Sequence, residues 1–300
     1  MGVFLRLFNI SCIFADKKGE ILRANFHTHT NFCDGKDSVE DIVRYAVSQN
    51  ISCLGFSSHA PLPVPAQWSL LNEQEFEKYV AEIKRNQNEQ KENIEIYLGI
   101  EADYIPGMTK DFQFLKQQFN LDYVIGAVHL VRPDCSDSVW FIDGKTSYFD
   151  KGIELFFGAD AKKATQTYFK QIKEMLTVQK FDIIAHFDKI KMNNAERFFS
   201  EHDEWYISET EDVLQLLKEK NIFLEVNTRG FYQKKMTQMY PSTRLIKRAR
   251  ELDIPIVISS DAHKKEELLA GFDQAVQIIK QAGYMYRTIR KNNNWVEVQL

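Results

Sequence analysis

The sequence lacks several features that define common protein classes. It has only four cysteines, none of them in a C-x-x-C pair: Cys12, Cys33, Cys53 and Cys135. A zinc ribbon and a dithiol redox motif are therefore not indicated, and reduced thiols are the simplest expectation. No apolar run approaches the roughly 18 residues that a transmembrane helix needs, so no membrane span is expected.

Basic residues are not in excess either. The chain has 38 Lys and Arg against 42 Asp and Glu, a formal net charge of −4. A general nucleic-acid binder normally carries a basic excess or a basic stripe, so neither nucleic acid nor a membrane is expected as a partner. Local basic residues can still serve the phosphate of a small substrate.

No internal repeat, low-complexity tract or long Gly/Ser linker divides the chain, which predicts one domain over residues 25–300. Residues 1–24 are interpreted as an N-terminal extension. Its apolar first part, residues 1–14, has two open interpretations. A signal peptide would have a poor charged start and a poor cleavage site, so we favour an extra strand or an upstream extension, and a cytoplasmic protein.

Short apolar segments alternate with longer segments of helical pattern, which predicts a parallel α/β sheet. Seven strands are predicted, at residues 21–29, 51–59, 94–103, 122–129, 181–186, 222–227 and 254–261. Helices are predicted after the N-cap residue Ser38 and at residues 72–90, 161–179, 208–220, 242–252 and 266–282. Polar residues at the ends of seven strands favour a closed barrel over an open sheet. Residues 130–160 break the alternation and are interpreted as an insertion at the barrel mouth that shapes the substrate pocket.

Histidine carries the main functional signal. Six of the seven histidines fall at or just beyond the end of a predicted strand: His27, His29, His59, His129, His186 and His263. In parallel α/β folds, functional residues collect at these strand ends. Side chains two residues apart on a strand point the same way, so H-T-H at 27–29 and D-A-H at 261–263 can each direct two donors to one ion. His202 lies in a polar loop and is expected on the surface.

Carboxylates accompany these histidines. Glu101 and Asp103 end the third predicted strand, and Asp34 precedes Gly35, which permits a tight turn. Imidazole and carboxylate together suit zinc, manganese or iron rather than magnesium alone. Taken singly, His129 or His186 is more often a hydrogen-bonded core residue. The conjunction of donors at the strand ends favours a metal site, since they would be costly to bury unpaired.

The order of these motifs resembles the PHP (polymerase and histidinol phosphatase) family. The resemblance rests on H-T-H at 27–29, C-D-G at 33–35, S-S-H at 57–59, G-I-E-A-D at 99–103, G-A-V-H at 126–129, A-H-F-D at 185–188, E-V-N-T-R-G at 225–230, Y-P-S at 240–242 and S-S-D-A-H at 259–263. It implies a distorted, TIM-barrel-like (β/α)7 barrel. N-T-x-G and Y-P-S are most similar to the histidinol-phosphatase branch, which implies hydrolysis of L-histidinol phosphate in histidine biosynthesis.

The resemblance also implies two to three divalent metal ions and their ligands. The first ion would be held by His27, His29, Glu101 and Asp261, and the second by Glu101, His129 and His186. The third would be held by Asp34, His59 and His263. Glu101, Asp261 and His263 are the expected catalytic residues, acting with metal-activated water rather than with a Cys33 thiolate.

Phosphate needs fixed positive charge as well, and Arg229 and Lys191 are the predicted substrate-binding residues. Lys189 is a weaker candidate, and a solvated surface charge remains open for both lysines. The acid that protonates the leaving alcohol is not assigned; metal-bound water and Asp188 both stay open.

Other functions remain open at this stage. A family member of this type could act on another phosphomonoester, a nucleotide, a DNA end or a phosphotyrosine. A non-catalytic, metal-stabilised module is the remaining alternative, but such a module should have lost ligands, and every ligand motif here is filled.

Overall fold

The computed structural model of the protein describes residues 12–13, 22–70, 72–134 and 136–300, which form an α/β barrel with additions at both ends. Its strands are β1 (Cys12–Ile13), β2 (Ala24–Asn25), β3 (Cys53–Phe56), β4 (Glu95–Asp103), β5 (Tyr123–Ala127), β6 (Leu130–Val131), β7 (Trp140–Phe141), β8 (Ile183–Ile184), β9 (Phe223–Asn227), β10 (Ile256–Ser259), β11 (Tyr286–Lys291) and β12 (Asn294–Gln299). Its helices are α1 (Val39–Ser48), α2 (Glu73–Gln90), α3 (Phe112–Phe119), α4 (Thr146–Phe157), α5 (Ala161–Val178), α6 (Lys191–Asn194), α7 (Glu204–Lys220), α8 (Arg229–Tyr232), α9 (Thr243–Glu251) and α10 (Phe272–Gln281).

Seven of these strands form one parallel sheet in the order β10-β9-β8-β5-β4-β3-β2. The two edges of the sheet meet beyond the ends of β2 and β10. There His29 N donates to Ala262 O at 2.8 Å, and Ala262 N donates to His27 O at 3.0 Å. Among the described residues, an isolated bridge rather than a full ladder joins the edges, so the barrel is nearly closed. The predicted distorted seven-stranded barrel is confirmed.

Side-chain alternation along the strands separates the barrel interior from the helix-covered exterior. In β4, Leu98 and Ile100 belong to the core cluster between strands and helices, whereas Tyr97 packs in a second cluster with Tyr123 and Phe223. Tyr97 and Glu101 are four residues apart on one strand and therefore share a face. The strand thus presents apolar rings inside the barrel and a carboxylate at its carboxyl end.

The helix starts follow local chemistry. Ser38 caps α1, because its hydroxyl accepts a hydrogen bond from Asp41 N at 3.1 Å, as predicted. The helix predicted over residues 266–282 is wrong at its beginning: residues 265–267 form a 3-10 turn, and α10 begins only at Phe272. Gly271, with φ of +75°, separates the two segments in a conformation that costs other residues free energy.

The C-terminal hairpin β11–β12 was not predicted from the sequence. It turns through Asn292 and Asn293, both with positive φ, a two-residue connection typical of tight hairpins. Trp295 on β12 packs against Phe26, Tyr123 and Phe223 of the interior cluster, with ring centroids 5.5, 6.1 and 5.0 Å away. The hairpin therefore completes the interior cluster.

The predicted N-terminal extension is described only at β1, which pairs in parallel with β12. The signal-peptide interpretation and the rest of residues 1–21 lie outside the described residues, and the domain boundary at residue 25 stays a prediction.

The insertion at 130–160 contains the β6–β7 hairpin and α4, and Ile142 N donates to His129 O at 3.0 Å. Among the described helices, none combines the length and the apolar character that crossing a bilayer requires.

Trp295→Ala should lower the free energy of unfolding by about 3 kcal/mol, because it leaves a cavity against three interior rings. Urea unfolding followed by circular dichroism measures this. Trp295→Phe is the matched control and should lose less, since it retains one ring. An alanine variant as stable as the wild type would remove the hairpin from the folded core.

Candidate metal centre

The predicted donors converge at the carboxyl end of the barrel. Glu101 lies two residues before the end of β4 and points into the barrel. The histidines follow β2, β3, β5, β8 and β10. The donors are buried except for Asp34 and His263, whose side chains are 32% and 14% exposed. The centre is therefore largely shielded, with one side open to ligand.

The first group surrounds one carboxylate oxygen of Glu101. Glu101 Oε2 lies 3.3 Å from His27 Nε2 and 3.6 Å from His29 Nε2. Asp261 Oδ1 lies 3.8 and 3.3 Å from the same two nitrogens. Donors about 2.0–2.1 Å from a tetrahedral ion stand roughly 3.3 Å apart, so these separations fit a shared cation.

The second group uses the other oxygen of the same carboxylate. Glu101 Oε1 lies 3.1 Å from His186 Nε2 and 3.8 Å from His129 Nε2. The two oxygens of Glu101 thus face two different sets of imidazoles. This is the arrangement by which one carboxylate can bridge two cations.

The third group lies nearer the solvent. Asp34 Oδ2 is 3.0 Å from His263 Nε2, and Asp34 Oδ1 is 3.9 Å from His59 Nε2 and 3.6 Å from His29 Nδ1. The His29 ring centroid lies 4.1 Å from that of His263 and 4.4 Å from that of His59. The three rings and Asp34 thus surround one small volume, and neutral imidazole is the form of histidine that binds metal.

Four buried donor atoms of the centre make no hydrogen bond with any described residue: His27 Nε2, His29 Nε2, Asp34 Oδ1 and His59 Nδ1. Each unsatisfied group costs about 1–3 kcal/mol. Such a cluster in one place is unexpected in a folded protein unless another partner satisfies it. Divalent cations would satisfy these atoms, so the residues present fit the predicted metal ions.

The pKa shifts differ among the donors. Burial lowers the pKa values of His27 and His129, but acidic neighbours outweigh it and raise both, that of His129 to about 9, so a bound cation would have to displace their protons. Burial alone would raise the pKa of Glu101, but the neighbouring His59, His27 and His129 lower it well below its usual range. Burial, together with His263 and His59, lowers the pKa of His29. The chain therefore offers an anionic carboxylate and a neutral imidazole at the centre.

Two further carboxylates orient the histidines, and neither role was predicted. Glu225 Oε1 lies 2.6 Å from His27 Nδ1, and Glu225 Oε2 accepts from His186 N at 3.0 Å. Asp103 holds His129 through both its ring Nδ1, at 3.1 Å, and its backbone N, at 2.7 Å. In each case Nδ1 is occupied and Nε2 is directed to the centre, a common device in metal sites. The signal for Glu225 was a charged residue inside an otherwise apolar predicted strand.

Two of the donors lie in unusual backbone conformations. His186 has φ of +21° and Asp261 has φ of +53°, a region that side-chain-bearing residues rarely adopt. Such conformations cost about 1–3 kcal/mol each and are concentrated at functional sites. The turns redirect both side chains at the point where β8 and β10 end.

A cavity of about 330 Å³ opens onto the centre. Its lining includes Arg229, Lys189 and Asp143, and Lys189 Nζ lies 2.6 Å from Asp143 Oδ2 and 3.4 Å from His129 Nε2. Arg229 Nη1 donates to Asp261 O at 2.7 Å. The insertion does reach the pocket, since Phe141 and Asp143 belong to it.

Lys191 does not line this cavity. Its side chain is only 3% exposed, and its ammonium pairs with Asp188, 2.7 Å away, and with Glu201, 3.7 Å away. The short helix α6 begins at Lys191 and turns it away, so the structure places Lys189 at the site instead. The substrate role of Lys191 stays a prediction with little geometric support. His202 is exposed, as expected.

A family model of the PHP domain matches residues 25–229, which is more than half of the chain. The chain belongs to the PHP family. This PHP protein is 28% identical over 270 residues to a probable histidinol-phosphatase of Deinococcus radiodurans, an alignment that covers 88% of this chain and 95% of the relative. It is 25% identical over 252 residues to the histidinol-phosphatase of Bacillus subtilis, covering 79% and 92%.

Solved structures show the same fold. A Listeria monocytogenes protein assigned as a histidinol phosphatase superposes with a TM-score of 0.73 at 22% identity, covering 84% of this PHP protein and 99% of that chain. Histidinol phosphate phosphatase from Lactococcus lactis, in complex with zinc, L-histidinol and phosphate, superposes with a TM-score of 0.62 at 19% identity, covering 91% and 98%.

Glu225→Gln should weaken metal binding about 10–100-fold, because an amide has no negative charge and one acceptor oxygen, so it cannot accept from both His27 Nδ1 and His186 N. Competition with a chelator, followed by metal analysis of the protein, measures the affinity. Glu77→Gln, an exposed change on α2, is the control and should bind metal as the wild type does. Equal metal affinity in all three proteins would contradict the orienting role.

Proposed function

We propose that this protein is a metal-dependent phosphomonoesterase that hydrolyses L-histidinol phosphate to L-histidinol and inorganic phosphate. One observation carries the proposal: four overlapping imidazole–carboxylate groups are linked through Glu101, His29, His59 and His129, and they adjoin a cavity lined by three basic side chains, Lys189, Arg229 and Lys235. The substrate is supported by the names of the relatives and by the ligands bound in the Lactococcus structure.

The proposal includes two to three divalent ions, with zinc, manganese and iron all suited to the donors. His27, His29, Glu101 and Asp261 would hold the first, Glu101, His129 and His186 the second, and Asp34, His59 and His263 the third. When bound, such ions lower the pKa of water towards neutrality and neutralise charge that develops on phosphoryl oxygens. Glu101, Asp261 and His263 are the proposed catalytic residues, because all three also line the cavity.

The chain itself positions the phosphate. Arg229 is held by Asp261 O and by Glu267, whose Oε2 lies 3.5 Å from Arg229 Nη1, so the guanidinium is fixed beside the first group. A fixed guanidinium can bind two phosphate oxygens at once. Lys189 adds a second positive charge, balanced by Asp143 when no substrate is present. A small phosphorylated substrate fits this cavity, and we propose a cytoplasmic location for such a biosynthetic enzyme.

A phosphate-release screen over a phosphomonoester panel tests the substrate. The panel contains L-histidinol phosphate, a nucleoside monophosphate, phosphotyrosine and ethanolamine phosphate, each with the metal-loaded and the chelator-treated protein. L-histidinol phosphate should have the highest kcat/KM, and chelation should abolish turnover. Preferred turnover of another ester would contradict the substrate, and turnover resistant to chelation would contradict the metal centre.

Arg229→Ala should raise KM for the phosphorylated substrate about 10–100-fold, the usual effect of losing hydrogen bonds to a charged group. Steady-state kinetics, with metal content measured in parallel, separates this from damage to the centre. Arg44→Ala, at an exposed position on α1, is the control. If KM is unchanged while metal content is retained, Arg229 does not bind the phosphate.

A further inference from the structure

Two partly exposed aromatic side chains form one wall of the cavity beside the candidate metal centre, whose lining is otherwise mainly charged. Trp68 follows β3 in a loop, and Phe141 lies on β7 in the insertion. Their rings are nearly parallel, with an interplanar angle of 13° and centroids 5.8 Å apart. Both keep part of their surface accessible. Apolar surface left in a ligand cavity is available for a ligand to cover.

Trp68 also lies directly against the metal centre. Its ring centroid is 4.6 Å from that of His59 and 5.6 Å from that of His129, both in edge-to-face geometry. If the phosphate of an ester binds at the centre, its alcohol part must extend into the cavity, within reach of the Trp68 ring. The aromatic wall, which we define as Trp68 and Phe141, is thus placed to contact the alcohol part of the ester.

The loop that carries Trp68 is constrained. Leu70 is buried, and its backbone N donates to His59 O at 3.1 Å, two residues beyond Trp68. Pro61, Pro63 and Pro65 precede it and restrict the backbone further. A ring held in place before ligand arrives loses little conformational entropy on binding.

We propose that the aromatic wall stacks against the flat ring of the leaving alcohol, which makes Trp68 the residue that selects phosphomonoesters bearing an imidazole or another aromatic ring. The inference rests on the proposed phosphomonoesterase function and adds the part of the substrate that the metal centre cannot recognise. Stacking of a heterocycle on an aromatic side chain contributes about 1–3 kcal/mol. An imidazolium gains further from the negative face of the indole.

The test compares substrates with and without a ring in the metal-loaded, full-length protein. Trp68→Leu keeps an apolar side chain but removes the ring, and Trp68→Phe keeps a ring. In Trp68→Leu, kcat/KM for L-histidinol phosphate and for p-nitrophenyl phosphate should fall about 10-fold, mainly through KM, while ethanolamine phosphate changes less than about 2-fold. Trp68→Phe should retain most of the preference.

A second readout does not depend on turnover. Isothermal titration should show binding of L-histidinol weakened about 10-fold by Trp68→Leu, with metal content unchanged. Trp205→Leu is the matched control, a partly buried tryptophan packed on Phe199 outside the cavity, and should alter neither readout. Equal loss for ring-bearing and ring-free esters, or unchanged L-histidinol binding, would overturn the stacking role. If the wild type fails to hydrolyse L-histidinol phosphate, the proposed function is wrong, whereas the p-nitrophenyl phosphate comparison still decides the stacking role.

Discussion

The structure depends on one buried carboxylate, Glu101, whose two oxygens face different sets of imidazoles. An anion this deep in a barrel is costly unless opposite charge surrounds it. The neighbouring histidines supply that charge only in part, because acidic neighbours raise the pKa values of His27 and His129 against the effect of burial, whereas burial and two close imidazoles lower that of His29. Divalent cations would resolve the conflict, because they would compensate Glu101 and bind neutral imidazoles. The fold therefore provides donors arranged for ions rather than for one another.

The barrel meets this demand by distributing the donors over its strands. The ends of six of the seven sheet strands contribute one or two donors each, and Asp34 follows in the loop after β2, so no single loop carries the centre. Glu225 and Asp103 then fix individual rings from below, and the positive φ values of His186 and Asp261 redirect two side chains at unfavourable local conformations. The contacts of Glu225 and Asp103 form only in the assembled barrel, and there they help to offset the unfavourable backbone conformations of His186 and Asp261.

The barrel and the position of the metal centre could be predicted from the sequence, because the two-residue alternation of strand side chains is visible within a few neighbouring residues. Seven apolar segments and the polar residues at their ends were enough for the barrel and for the convergence of its histidines. Contacts outside this strand-end pattern were not predictable: Glu225 contacts His27 across 198 positions. Which lysine faces the cavity, Lys189 or Lys191, depends on where the short helix α6 begins, and the distance of each lysine from His186 in the sequence does not reveal this. The β11–β12 hairpin has a local sequence signal, the Asn292-Asn293 turn.

Cations shared around Glu101 would be visible by anomalous diffraction. Crystals of the metal-loaded protein would be measured on both sides of the absorption edges of zinc, manganese and iron. Two anomalous peaks are expected, one on each side of the Glu101 carboxylate. Each should lie about 2 Å from a carboxylate oxygen, and the two peaks should be roughly 3.5–4 Å apart. Clear density for the histidines with no peak beside Glu101, or with peaks only at surface positions, would contradict the sharing of cations around Glu101.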